Sequence, residues 1–144
     1  MERSLIHPIL EHPATAVFAR ILATFMYWYA GIGFLLNFSG AIQTMEAQGF
    51  TQSPALIAAL TLTVQLVGSA IVISGRHVWF GVGILSVFTL ATIPLVHDFW
   101  NMTGAAAIQA QLETEEHMTV IGGLLAVAIL SHVLRMRARL APAQ

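Results

Sequence analysis

The sequence predicts an all-α integral membrane protein, an antiparallel four-helix bundle with both termini in the cytoplasm. Of its 144 residues, 57% are hydrophobic and 9% are charged, whereas a soluble domain carries about 25% charged residues. Four apolar segments are long enough to cross a bilayer, and they lack the period-two alternation of barrel strands. Because only helices and closed barrels satisfy their backbone in hydrocarbon, the segments are predicted to be helices. A soluble domain and a disordered chain are excluded.

The four predicted spans cover about residues 14–36, 54–74, 78–96 and 118–134. Each is close to the roughly 20 apolar residues that a helix needs to cross the hydrocarbon core. The connections at about residues 37–53 and 97–117 are too polar to span, and we expect short interfacial helices at residues 43–48 and 104–111 within them. The chain, residues 1–144, is thus expected to form a single membrane domain.

The distribution of arginine predicts the orientation of this bundle. The six basic residues, which four alternating spans place on one side, are Arg3, Arg20, Arg76, Arg135, Arg137 and Arg139. The two long connections contain no arginine and carry acidic residues instead. The positive-inside rule therefore places both termini in the cytoplasm and the long connections outside. The scattered arginines form no basic stripe, so the expected partner is the lipid bilayer and not a nucleic acid.

Composition also limits the chemistry of the chain. It contains no cysteine, which excludes disulfides, cysteine-ligated iron–sulfur clusters and a thiol nucleophile from this chain. Gln65 lies about 11 residues into the second span, roughly 16 Å from its outer end. A polar side chain at that depth should face the bundle interior. We expect it to form an interhelical hydrogen bond, with contact to a ligand as the alternative.

The strongest cluster of polar and aromatic residues is expected at the outer end of the bundle. The sequence His97-Asp98-Phe99-Trp100 follows the third span, and His117 precedes the fourth. Chain order returns both histidines to one level, so we predict that His97, Trp100 and His117 converge above Gln65. Neutral histidine exchanges protons near physiological pH, and an indole provides a flat wall for a ring. The alternative is that both histidines serve structural roles at the membrane boundary.

Several motifs resemble those of DoxX-like proteins, which are small four-helix proteins of the bacterial inner membrane. The motifs are Arg20, Ala30-Gly31-Ile32-Gly33, Leu35-Leu36-Asn37-Phe38-Ser39-Gly40, Gly75-Arg76, His97-Asp98-Phe99-Trp100 and Gly122-Gly123-Leu124-Leu125. The similarity covers about residues 18–130. Family members often have Lys where Phe34 stands and Glu where Gln65 stands. The two changes are mutually consistent, because losing one member of a buried ion pair leaves an uncompensated charge.

The resemblance implies a function in membrane redox chemistry, since one branch of the family is the small subunit of a thiosulfate:quinone oxidoreductase. His97 and Trp100 are the candidate site residues that the resemblance implies. Many members of the family have a Lys-Asn pair where Glu116-His117 stands in this sequence. We therefore expect a redox-linked, quinone-associated subunit and not a stand-alone enzyme. A quinone is favoured as cofactor over haem or a metal ion, and other membrane protein subunits are expected partners. The alternative is an accessory subunit that packs against a larger complex and has no chemistry of its own.

Overall fold

The computed structural model describes residues 6–140, and within that range the chain is helical and contains no strand. The helices are α1 (Ile6–Glu11), α2 (Pro13–Ala23), α3 (Phe25–Leu36), α4 (Phe38–Ala47), α5 (Pro54–Ser74), α6 (Val78–Val96) and α7 (Gly104–Leu140), with a 3-10 turn at Phe99–Asn101. The predicted cytoplasmic Arg3 lies outside the described residues.

Three helices are long and apolar enough to cross a membrane: α5, α6 and α7. Helices α5 and α6 coincide with the predicted spans at residues 54–74 and 78–96. They form a hairpin, because Gly75 ends α5 in the left-handed conformation with φ of 76°. A fourth span exists if α2 and α3 cross together as one bent unit.

The expectation of one continuous helix over residues 14–36 is wrong, because α2 and α3 meet at a bend of 60°. The Thr24 hydroxyl donates to the carbonyl of Arg20 at 2.8 Å and lies 3.3 Å from that of Ile21. Such bonds to carbonyls three and four residues back bend helices. The Trp28 indole also donates to the Ile21 carbonyl at 3.1 Å. The bend therefore leaves these carbonyls satisfied, as hydrocarbon requires.

Helix α7 is longer than predicted, since it begins at Gly104 and not near residue 118. Residues 104–111, expected as a separate interfacial helix, form its first turns. The preceding connection is correspondingly short and contains the 3-10 turn. Helix α4 includes the other expected interfacial helix, that at residues 43–48, except for its last residue, and it begins five residues earlier.

Close approach between α5 and α6 depends on small residues that face each other. A Cβ atom added to Gly68 would lie 2.6 Å from Leu85, and one added to Gly81 would lie 2.9 Å from the Gly68 carbonyl oxygen. Helix α3 joins α6 through a buried hydrogen bond from the Tyr27 hydroxyl to that of Thr89, which itself donates to the Leu85 carbonyl at 2.8 Å. These contacts fix the frame that holds the site.

We predict that Gly81→Ala destabilises the protein by about 1–3 kcal/mol, because the new methyl group meets backbone as well as side chain. Gly83, on the same helix, has nothing within 4 Å of an added Cβ and supplies a matched control. Gly83→Ala should leave stability unchanged or raise it by up to about 1 kcal/mol. Reversible unfolding in mixed detergent micelles measures the stability of both variants. Equal unfolding midpoints for the two variants would contradict this packing of α5 against α6.

Candidate functional site

A cavity of about 310 Å³ lies between α3, α4, α5, α6 and α7, and we call it the histidine cavity. Its lining residues are Phe34, Met45, Gln48, Phe50, Ile57, Thr61, Gln65, Phe88, Ala91, Thr92, Leu95, Val96, His97 and His117. The volume is near the lower end of the range for small-molecule sites, about 300–1,000 Å³. A mostly apolar wall with a few polar groups is the usual construction of such a site.

Two histidines meet at one end of the cavity. The rings of His97 and His117 lie 4.8 Å apart between centroids, with 64° between their planes. His97 follows the last residue of α6 and its backbone N–H donates to the Ile93 and Thr92 carbonyls. The chain therefore brings together the two histidines that the sequence analysis placed at one level.

Glu113 holds both imidazoles in place. Its carboxylate Oε2 lies 2.7 Å from His97 Nδ1, and its backbone carbonyl lies 2.6 Å from His117 Nδ1. A carbonyl can only accept, so His117 donates from Nδ1. The His97 and Glu113 side chains are 14% and 35% exposed, which leaves the carboxylate in reach of solvent. Sequence reasoning missed Glu113; its position four residues before His117 on a helix was the available signal.

Gln65 lies on the wall of the same cavity and its Oε1 is buried without a hydrogen-bond partner. The residue is 9% exposed. The other buried side-chain atoms in residues 6–140 that lack partners are the hydroxyls of Ser69 and Ser86, which do not line the cavity. An unpartnered buried acceptor costs about 1–3 kcal/mol. The expected interhelical hydrogen bond of the Gln65 side chain is thus not found for Oε1.

Helix α4 and the segment after it cover one side of the cavity. Met45 and Ala41 are buried against Ala58 of α5. Gly49, with φ of 93°, then turns the chain so that Phe50 reaches the cavity, its N–H bonding the Met45 carbonyl at 3.0 Å. The sequence predicted a capping helix here but gave no signal that Phe50 would form part of the wall.

Trp100 does not line the cavity, and the prediction that it joins the histidines is wrong in this respect. It is 55% exposed and contacts Phe99 edge to face, with ring centroids 5.2 Å apart. The helix ends at Val96 and a 3-10 turn follows, so Trp100 does not continue the face that carries His97. Aromatic walls come instead from Phe34, Phe50 and Phe88.

The polar groups of the cavity suit a small ring-bearing molecule with polar atoms at two ends. The histidine pair and Gln65 supply hydrogen bonds, and the phenylalanines supply flat apolar contact. Within residues 6–140, no group of three or more His, Asp or Glu side chains is arranged to hold a metal ion.

Comparison with known proteins identifies the family. The DoxX family matches residues 15–98, more than half of the chain. This chain belongs to the DoxX family. The match includes α2, α3, α5 and α6 with Gln65 and His97, and it ends before Trp100 and His117. The Phe34 and Gln65 positions, where the resemblance indicated departures from the usual residues, both face the histidine cavity of this DoxX protein.

The DoxX protein is similar to the inner membrane protein YphA of Escherichia coli strain K12. The two are 27% identical over 118 residues, which is 81% of this chain and 83% of that protein. No solved structure gives a significant match. The chain is a multi-pass protein of the bacterial inner membrane, and lipid surrounds its apolar helices.

We predict that Glu113→Ala in the DoxX protein changes the tautomer of His97 and not that of His117. The variant removes the carboxylate but keeps the backbone carbonyl that accepts from His117. Nitrogen-15 NMR of the imidazoles measures this: His97 should lose its preference for the Nδ1–H form, and His117 should retain it. Glu115→Ala is the control, since the Glu115 side chain accepts from Gln111. Equal changes at both histidines in Glu113→Ala would contradict the role of the carboxylate.

Proposed function

We propose that residues 1–144 form one membrane domain in which α2 and α3 cross as a single bent span beside α5, α6 and α7. Contacts between basic residues and helix ends support this arrangement. Arg20 of α2 donates to the Ile73 carbonyl at 3.3 Å near the end of α5, and Arg135 of α7 donates to the Arg76 carbonyl. The arginines thus gather at the end opposite the histidine cavity. By the positive-inside rule, both termini face the cytoplasm and the cavity lies in the outer half.

Single cysteines test this topology, because the chain has no native cysteine. Gln52 and His77 are exposed and lie at opposite ends of α5. In intact spheroplasts, a membrane-impermeant maleimide should label Gln52→Cys, whereas His77→Cys should react only after the membrane is opened. The reverse pattern would overturn the orientation, and labelling of both from outside would overturn the four spans.

We further propose that the histidine cavity binds the ring of a quinone, as part of a redox-linked membrane complex. The observation that carries this proposal is the pairing of His97 and His117 with an unpartnered Gln65 Oε1 around one apolar cavity. A quinone ring carries two oxygen atoms at opposite ends and an apolar face between them. Gln65 Oε1 accepts, so it pairs with a ring oxygen in its hydroxyl form. The two polar ends of the cavity thus match the two oxygens of a quinone–hydroquinone couple, and Phe34 and Phe88 match the face.

Some residues that line the cavity are also exposed on the outer surface of the protein, which supports a ligand that enters from the lipid. Leu95 and Ala91 line the cavity and are also exposed on the outer surface of α6. They would face the hydrocarbon in the proposed orientation. Glu113, which holds His97 and is 35% exposed, stands between the cavity and water. A ring oxygen at His97 would therefore have a route for protons through Nδ1 to the carboxylate.

Ligand binding tests this function directly. The tetramethyl-1,4-benzoquinone couple, in one or both oxidation states, should raise the melting temperature of the purified protein, because a ligand that binds only the folded state stabilises it. Ala91→Phe fills the cavity wall and should abolish the shift. Leu90→Phe, one residue earlier on α6 at an exposed site that does not line the cavity, should retain it. No shift of the native protein with either form would overturn the proposal.

One observation favours the alternative of an accessory subunit without chemistry of its own. Only 11% of the apolar window of α7 is buried. Gly122 and Gly123 have nothing within 4 Å of an added Cβ, so a helix of another protein could approach α7 closely. Gly122→Leu should then release a co-purifying membrane subunit without affecting ring binding. Loss of the subunit without any ring binding to the native protein would favour the accessory role.

A further inference from the structure

The imidazoles of the histidine cavity present acceptors, because Glu113 fixes their tautomers. His117 donates from Nδ1 to the Glu113 carbonyl, and His97 donates from Nδ1 to the Glu113 carboxylate. A neutral imidazole has one donor and one acceptor nitrogen. In each neutral ring, Nε2 is therefore the acceptor, and it is the nitrogen left for a molecule in the cavity.

Gln65 adds an acceptor elsewhere on the wall. Its Oε1 is buried, lacks a partner and belongs to a residue that is 9% exposed. The Thr92 hydroxyl can also only accept from a ligand, since it already donates its hydrogen to the Thr89 carbonyl at 2.8 Å. Thr61 and the exposed Gln48 carry groups that can either donate or accept, and the Gln65 amide can donate through its Nε2, whereas the tautomers of the two histidines are fixed. The polar groups fixed by the fold thus favour a ligand that donates.

We propose that the histidine cavity selects the reduced, dihydroxy form of its ring ligand over the oxidised, dicarbonyl form. This inference rests on the proposed function. A hydroquinone has two O–H donors, one for the histidine pair and one for Gln65 Oε1. A quinone has only acceptor oxygens, so the oxygen at the histidine pair would face the Nε2 lone pairs of His97 and His117 without an intervening hydrogen. The other oxygen would face Gln65 Oε1 unless the amide turns to present its Nε2.

The selection has a consequence for the redox couple. Reduction of the quinone adds two electrons and two protons, and binding that favours the product raises the midpoint potential of the bound couple. For a two-electron couple, a tenfold preference corresponds to about 30 mV. The bound ring would then be a better oxidant than the free one.

Three ligands with the same tetramethyl-substituted ring test the selection on the unmodified protein. They are tetramethylhydroquinone, its dimethyl ether and tetramethyl-1,4-benzoquinone. Binding is measured anaerobically in detergent at pH 8, where histidine with an ordinary pKa of about 6.5 is neutral. We expect the hydroquinone to bind at least tenfold more tightly than either of the others. The quinone is the stricter comparison, because it has nearly the size of the hydroquinone and no O–H donor, whereas the ether also lacks the donor but is larger by two methyl groups.

The variants then locate the acceptors. Gln65→Met keeps side-chain length but lacks the amide oxygen, and it should reduce the preference for the hydroquinone about tenfold. Thr63→Val on the same helix is the control, because the exposed Thr63 hydroxyl bonds the Ala59 carbonyl and does not line the cavity. The ligand comparison on the native chain keeps the test valid even if Gln65→Met fails to fold.

The outcomes separate this inference from the proposed function. If the quinone or the ether binds as tightly as the hydroquinone, the selection is wrong while ring binding stands. If none of the three binds, the proposed function and the selection both fail. If the hydroquinone alone binds tightly but Gln65→Met keeps the full preference, the assignment of Gln65 as an acceptor is overturned.

Discussion

Polar groups within a membrane must find their partners inside the protein, and this constraint shapes each part of the structure. At the bend between α2 and α3, the Trp28 indole bonds the Ile21 carbonyl, and the Thr24 hydroxyl adds a second bond to the Arg20 carbonyl beside that of its own backbone N–H. Between α3 and α6, Tyr27 bonds Thr89. Within residues 6–140, Gln65 Oε1 departs from the pattern, as do the hydroxyls of Ser69 and Ser86, and of these three only Gln65 lines the cavity, which supports the proposal of a ligand there.

The histidine cavity depends on elements far apart in the chain. Helix α3 brings Phe34 to the wall after the bend, α4 folds back over α5, and α7 carries both Glu113 and His117. The His97 ring is held from α7, although His97 itself follows α6. The polar end of the site is therefore an interface between two helices, and its geometry follows their relative position.

Much of the fold and part of the site could be predicted from the sequence. Hydropathy placed α5 and α6 because burial in lipid leaves few alternatives for an apolar segment of that length. Chain order placed His97 and His117 together. The start of α7 could not be found in this way: residues 104–117 are polar, yet alanine, glutamine and glutamate favour helices. Pairs such as Gln109 with Glu113 support them further. Two features depend on local hydrogen bonds, which leave no hydropathy signal. They are the bend at Thr24 and the 3-10 turn that places Trp100 away from the cavity.

Helix α7 is longer than the hydrocarbon core of a bilayer is thick. Its 37 residues form one unbroken helix, about 55 Å long at 1.5 Å per residue, against a hydrocarbon thickness of about 30 Å. Glu113 and His117 lie toward one end and Arg135 toward the other, and the helix between them is continuous. A displacement of the turns that exceed the hydrocarbon thickness would therefore reach His117 through the helix backbone, whereas His97 is carried by α6. A partner bound to those turns would shift one imidazole relative to the other without entering the bilayer.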